Sequence, residues 1–327
     1  MRLLPGLLAC VALAAVAEIL GSYVPLVGAP VFAIVLGVAI AAVRPLSPLW
    51  STGTGFAAKV VLQWSIVLLG AQLSLGEIAL GGRAALPVML GTFVLVLLIA
   101  YFAGRALALD DDLRRLLAIG TAICGGSAIA ALSSVIDVDR SDVAYALATI
   151  FFFNVVAVLT FPALGHALQL TQGAFGLWAG TAINDTSSVV AAAFAYGHTA
   201  GNAAVVVKLT RTLLIVPVVL YYAWRRMLAH RAGDKPVPWR AVIPWFILWF
   251  LVAATLDSVG AIPAGWHAPI QRIALFTIVV ALAGVGLSSD LSRIKAAGFR
   301  PLVLGAVLWV AIVLGSLAIA HYTNVSM

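Results

Sequence analysis

Two basic side chains sit where a charge is costly. In NAAVVVKLTRTLLIVPVVL, Lys208 and Arg211 lie three residues apart within an apolar run, so on a helix they share one face. A guanidinium offers a planar fork and an ammonium a point charge, a pair that suits a small dianionic oxyanion. Upstream, NDTSS supplies Asn184, Asp185, Thr186, Ser187 and Ser188, again within an apolar run. Asp185 can neutralise one of the two cations, or it can exchange a proton with Lys208, as an antiporter requires. A third polar stretch, CGGS, supplies Cys124, Gly125, Gly126 and Ser127.

The two neutral-to-acidic stretches are related. GTAICGGSAIAAL (120–132) and GTAINDTSSVVAA (180–192) open with the same four residues, 60 positions apart. Gly costs about 1 kcal/mol relative to Ala in a helix interior. Asn, Asp, Ser and Thr prefer to start helices. Each stretch therefore reads as a break followed by a new helix N-terminus, whose free N–H groups and dipole attract anions. The plainer reading of GGS is close helix packing. An intramembrane carboxylate such as Asp185 points to function.

The elements that carry these residues are membrane-spanning helices. Of 327 residues, 63% are hydrophobic and 9% charged, with a mean hydropathy of +1.12; an ordinary soluble domain carries roughly 25% charged residues. About eleven apolar segments are long enough to cross a bilayer: 4–22, 27–43, 57–76, 86–104, 113–137, 142–165, 173–197, 202–223, 241–258, 267–288 and 301–321. No linker separates them, so 1–327 reads as one transmembrane transporter domain. The first segment reads as a retained span rather than a signal peptide, because Glu18 interrupts it and more spans follow.

The formal charge of +7 does not indicate nucleic acid, since the cations cluster in short loops. With a cytoplasmic N-terminus, most Lys and Arg fall on the inside, including Arg2, Arg44, Arg105, Arg114, Arg115, Arg225, Arg231, Lys235 and Arg293. Arg83 and Arg140 are left outside, and the C-terminus is periplasmic. Cys10 and Cys124 both fall within spans, which argues against a disulfide and against a metal site. His166, His198 and His267 read as interfacial, and Gln63 and Asn154 as interhelical hydrogen-bonding residues. No nucleotide-binding loop, zinc-hydrolase motif or other enzyme signature is present, so the chain reads as a non-enzyme without cofactor.

Two internal repeats emerge. At an offset of 214, GAQLS (70–74) aligns with GVGLS (284–288) and Pro87 with Pro301, in segments of opposite direction, the inverted-repeat signature of secondary transporters. At an offset of 60, GTAI, Ser127/Ser187 and Ala144/Ala204 coincide, yet the span count makes these two units parallel. Either one interrupted segment is re-entrant, or the likeness reflects shared chemistry rather than shared ancestry.

ICGGSAIAALSSVI, GTAINDTSSVVAAAFAYG, VLLGAQLSLGEI and VVVKLTRTLLIVPVVL together resemble the YeiH-type family of bacterial inner-membrane proteins, to which sulfate export is ascribed. CGGSAIAAL followed by a whole span is more distantly similar to bile acid:sodium symporters and cation/proton antiporters. These resemblances imply an inverted-repeat core with two crossed, interrupted helices. The expectation is an all-α polytopic transporter of the bacterial inner membrane, moving a small anion of the sulfate or organic sulfonate class. H⁺ and Na⁺ are candidate coupling ions, and a homodimer is a candidate assembly. The expected substrate-binding set is the eleven residues named at 124–127, 184–188, 208 and 211. The alternatives are a cation/proton antiporter using Asp185 and Lys208, and a non-transporting receptor or assembly factor.

Overall fold

A computed structural model describes residues 3–24, 28–43, 48–228, 245–289 and 299–323. The expectations for Arg2, Arg44, Arg231, Lys235 and Arg293, and for the last residues of the chain, fall outside them. The described residues are helical throughout, as apolar segments in hydrocarbon must be when no sheet closes on itself. Among the described residues seven helices are long and apolar enough to cross a membrane, and Gly28–Val43, Thr186–Tyr196 and Trp245–Ser258 are shorter apolar ones.

In chain order, α1 is Leu4–Tyr23 and α2 Gly28–Val43. α3 (Pro48–Phe56) runs through a π-helical turn (Ala57–Val61) into α4 (Leu62–Gly70). α5 (Leu75–Ala106) starts at a capping box, in which Ser74 Oγ accepts from Glu77 N and Ser74 N donates to Glu77 Oε2. α6 (Asp111–Ala122) and α7 (Gly126–Ser133) flank the first break; α8 is Arg140–Ala167. α9 (Gln172–Ala182) and α10 (Thr186–Tyr196) flank the second, and α11 (His198–Thr212) continues into α12 (Ile215–Leu228). α13 (Trp245–Ser258), α14 (Ala264–Leu287) and α15 (Phe299–Tyr322) complete the set.

Each expected segment has a helical counterpart among the described residues, with the third and fourth shifted to 48–70 and 75–106, but the two interrupted ones do not run straight on. After the first break α7 folds back along α6, so that Ile129 packs on Gly120 and Asp142 at the start of α8 returns within electrostatic reach of Asp110 and Asp112. After the second break α10 folds back along α9. Tyr196, at its end, donates to the Leu170 carbonyl and stacks on Phe175 with ring centroids 3.8 Å apart. Each pair is a helical hairpin.

The 28-residue α8 positions both hairpins. Its first half meets the first hairpin through Leu147 and Ile150, which pack on Gly126 and Gly125. Its second half meets the second hairpin, where Phe161 stacks on Trp178 and Gly165 accommodates the Phe175 ring. The hairpins therefore enter from opposite ends of α8 and meet near its middle, where Gly125 packs against the backbone of Asn184 and Asp185. α11 runs beside α9, with Gly176 and Gly180 seated on Ala204, and α12 joins the core around the first hairpin through Ile215 and Val219.

α1, α2, α4, α13 and α14 share a separate apolar core, with α10 and α11 seated against it through Val190, Phe194 and Val206. Glycines let its helices approach closely. A Cβ on Gly37 would lie 2.8 Å from Gly286 Cα, so α2 and α14 approach backbone to backbone. Replacing Gly286 by Leu should separate these helices and cost about 1–3 kcal/mol from overpacking. The expected outcome is a lower thermal midpoint of the purified protein in detergent, with Gly55→Ala, where a Cβ meets nothing within 4 Å, as a control whose midpoint does not fall.

Candidate functional site

Where a helix stops inside hydrocarbon, its last carbonyls lose their partners. Here two helices, α6 and α9, stop at the same depth from opposite directions. Their carboxyl ends place the negative poles of two helix dipoles together. Lys208 and Arg211, both with no exposed surface, meet this demand. Lys208 Nζ donates to the Ile123 carbonyl (3.1 Å) and the Ile183 carbonyl (2.8 Å), one from each break. Arg211 Nε donates to Ala122 O (2.8 Å), Nη2 to Thr121 O (2.7 Å) and Nη1 to Thr181 O. The i, i+3 spacing on α11 lets both cations face the tips. Among the described residues neither has a carboxylate within salt-bridge distance.

The amino ends of the returning helices face the other way, toward a cavity of about 340 Å³. Gly126 at the start of α7 and Asp185, Ser187 and Ser188 at the start of α10 line it. So do Leu147, Ala148, Phe151 and Asn154 of α8, and Val285, Ser288 and Ser289 at the end of α14. The half-buried Asp185 caps α10: its Oδ2 accepts from Ser187 N (2.9 Å) and from the Ser187 hydroxyl. Asp185 N donates to Asn154 Oδ1 (3.2 Å), which ties the second break to α8. α7 differs, because no side chain caps its N-terminus; the turn is made by Gly125 at φ 66°. One helix start at the cavity thus carries its own carboxylate and the other carries none.

The expected residues fall into two groups on either side of the tips. Gly126, Asp185, Ser187 and Ser188 border the cavity. Cys124, Asn184, Lys208 and Arg211 are buried behind it, and the Asn184 Oδ1 has no hydrogen-bond partner. Gly125 shapes the turn, while Ser127 is exposed and Thr186 half-buried in the first turns of α7 and α10. Asp185 turns to Ser187 instead of pairing with Lys208. Ser288, Ser289, Phe151 and Leu147 were not foreseen. GVGLSS invited attention only as a repeat, and nothing local says that the end of α14 lies beside a hairpin 100 residues away.

Comparison with known proteins places the chain in a family. A family profile described as "Conserved hypothetical protein 698" matches residues 5–305. A "UPF0324 membrane protein" of Streptococcus pneumoniae serotype 4 is 39% identical over 320 residues, 95% of each chain. One from Streptococcus pyogenes serotype M3 is 40% identical over 328 residues, 97% of this chain and 96% of its own. Another, from Clostridium tetani, is 36% identical over 326 residues, 95% and 94%. The chain belongs to the UPF0324 family. The YeiH-type resemblance fits that assignment, and the UPF0324 relatives are named as membrane proteins, in keeping with the apolar helices found here.

In this UPF0324 protein, Arg211→Ala would strand three buried carbonyls, each worth several kcal/mol in an apolar setting. The expected outcome is loss of a folded, monodisperse protein in detergent, whereas Arg211→Lys folds with a lowered thermal midpoint. An Arg211→Ala protein as stable as wild type would show that the carbonyl clamp does not hold the tips together.

Proposed function

We propose that the protein is a secondary active transporter whose substrate occupies the cavity at the meeting hairpin tips. One observation carries this reading: two broken helices enter from opposite ends, and both place a helix start on one cavity bordered by Asn154, Asp185 and four serines. Irregular backbone at membrane depth is tolerated where it lines such a cavity, and discontinuous helices at the midplane are how transporters hold substrates and coupling ions.

The boundaries of the two hairpins support an inverted repeat. α6 ends at Ala122 and α9 at Ala182, and α7 begins at Gly126 and α10 at Thr186, all at the offset of 60. On this reading each hairpin is followed by a whole crossing in the opposite direction, and the two units are antiparallel. The described residues would then make nine full crossings and two re-entrant hairpins. With a cytoplasmic N-terminus, Arg140 moves to the cytoplasmic side with Arg105, Arg114, Arg115 and Arg225, which strengthens the positive-inside bias.

For the substrate we retain a small anion of the sulfate or sulfonate class, with altered roles. The uncapped start of α7 and the hydroxyls of Ser187, Ser188, Ser288 and Ser289 would hold it. Lys208 and Arg211 would add a positive field through the tips without touching it. An ionised Asp185 opposes an anion in the same cavity, so anion and proton would enter together. The second reading, cation or proton antiport, is favoured by Asp185 being the ionisable side chain on the cavity wall among the described residues.

Two measurements test this. A single cysteine at Asp137, between the first hairpin and α8, should label from the cytoplasm; labelling from the periplasm would restore eleven straight crossings. Binding of sulfate and short organic sulfonates to purified protein should survive Asp185→Asn. Abolished transport by Asp185→Asn, with no anion bound by wild type at any pH, would select the antiporter.

A further inference from the structure

A second cavity lies at the other functional extreme of the molecule, at the helix ends. α5 finishes, α6 starts and α12 passes beside them, enclosing about 330 Å³. Its wall carries Arg105, Arg114 and Arg115, with Tyr101 and Tyr222 between them. We propose that this cavity binds the phosphate of an anionic phospholipid.

The first support is an excess of donors over acceptors. Arg114 pairs with Asp111 (2.7 Å) and Arg115 with Asp112 (2.8 Å), while Arg105 has no carboxylate partner among the described residues. Arg105 instead donates to the Tyr101 hydroxyl (2.7 Å) and lies 5.2 Å from its ring centroid. Three guanidinium groups thus share two carboxylates. Asp111 is largely exposed while Arg114 is buried, so the carboxylate is the partner that can swing away into water. A phosphodiester, which matches the guanidinium fork, can displace it. Arg114 is held in place because Gly104 leaves room for its stem.

The second support indicates a lipid rather than a free anion. Leu90, Val94, Leu98 and Phe102 are exposed at four-residue spacing on α5, which makes an apolar stripe that leads along the helix to Arg105. Acyl chains on that stripe would deliver the headgroup to the arginines, and basic pockets between membrane helices recognise headgroups in this way. Asp110, Asp139 and Asp142 cluster with Asp112 at the same helix ends. Their charge disfavours a multiply charged free anion more than a singly charged phosphodiester.

The test uses the full-length protein purified in neutral detergent, with bound lipid read by native mass spectrometry. Phosphatidylglycerol should be retained and should raise the thermal midpoint, phosphatidylcholine should do neither, and millimolar inorganic phosphate should not displace the bound lipid. The Arg105→Gln, Arg115→Gln double variant should bind phosphatidylglycerol about tenfold or more weakly, the effect of losing hydrogen bonds between charged groups. Should that variant not fold, the wild-type lipid comparison decides alone. Equal retention of the two lipids, unchanged retention by the folded variant, or displacement by inorganic phosphate would each overturn the proposal.

Discussion

The structure depends on one requirement: two helices that end inside hydrocarbon must have their last carbonyls paired. Lys208 and Arg211 do this for both at once. Their five donor contacts join the carboxyl ends of α6 and α9, so the two hairpins cannot separate without stranding acceptors in an apolar medium. Burial of two cations is itself unfavourable, and it is offset because the acceptors are dipole ends of matching sign rather than neutral surface. Among the described residues no carboxylate takes part in this pairing, and Asp185 stands at the cavity instead.

The consequence is a sided arrangement. Behind the tips, carbonyls meet cations in a dry, filled core; in front, helix starts and hydroxyls meet a cavity. A continuous helix could not divide its two poles in this way, because every interior N–H would be consumed by the carbonyl four residues before it. The reversal at Gly125 and at Ile183–Asp185 frees both sets of groups and sends them in opposite directions. α8 then fixes the depth at which the hairpins meet, with Asn154 bonded to the second break and Ile150 packed on the first.

Much of this was visible in the residues. Composition and apolar segment length gave the helical membrane class, since nothing else satisfies backbone groups in lipid. The break positions followed from Gly-Gly-Ser and Asn-Asp-Thr-Ser, which are poor helix interiors and good helix starts wherever they stand. The two intramembrane cations drew attention to the breaks for the same reason: a charge at that depth needs a partner, and here the partners are backbone carbonyls.

Three things were decided only by tertiary structure. The direction of the chain after each break was one, because a three-residue interruption permits continuation or reversal and hydropathy carries no sign of direction. The partner of each cation was another, since backbone carbonyls are present at every residue and leave no trace in a sequence. The last was the far wall of the cavity, where Ser288 and Ser289 arrive from α14 through packing against α3, seen in the hydrogen bond from Ser288 to Thr54. Local chemistry depends on residue type and spacing, which a sequence states directly; which surfaces meet depends on packing between distant segments, which only the folded chain resolves.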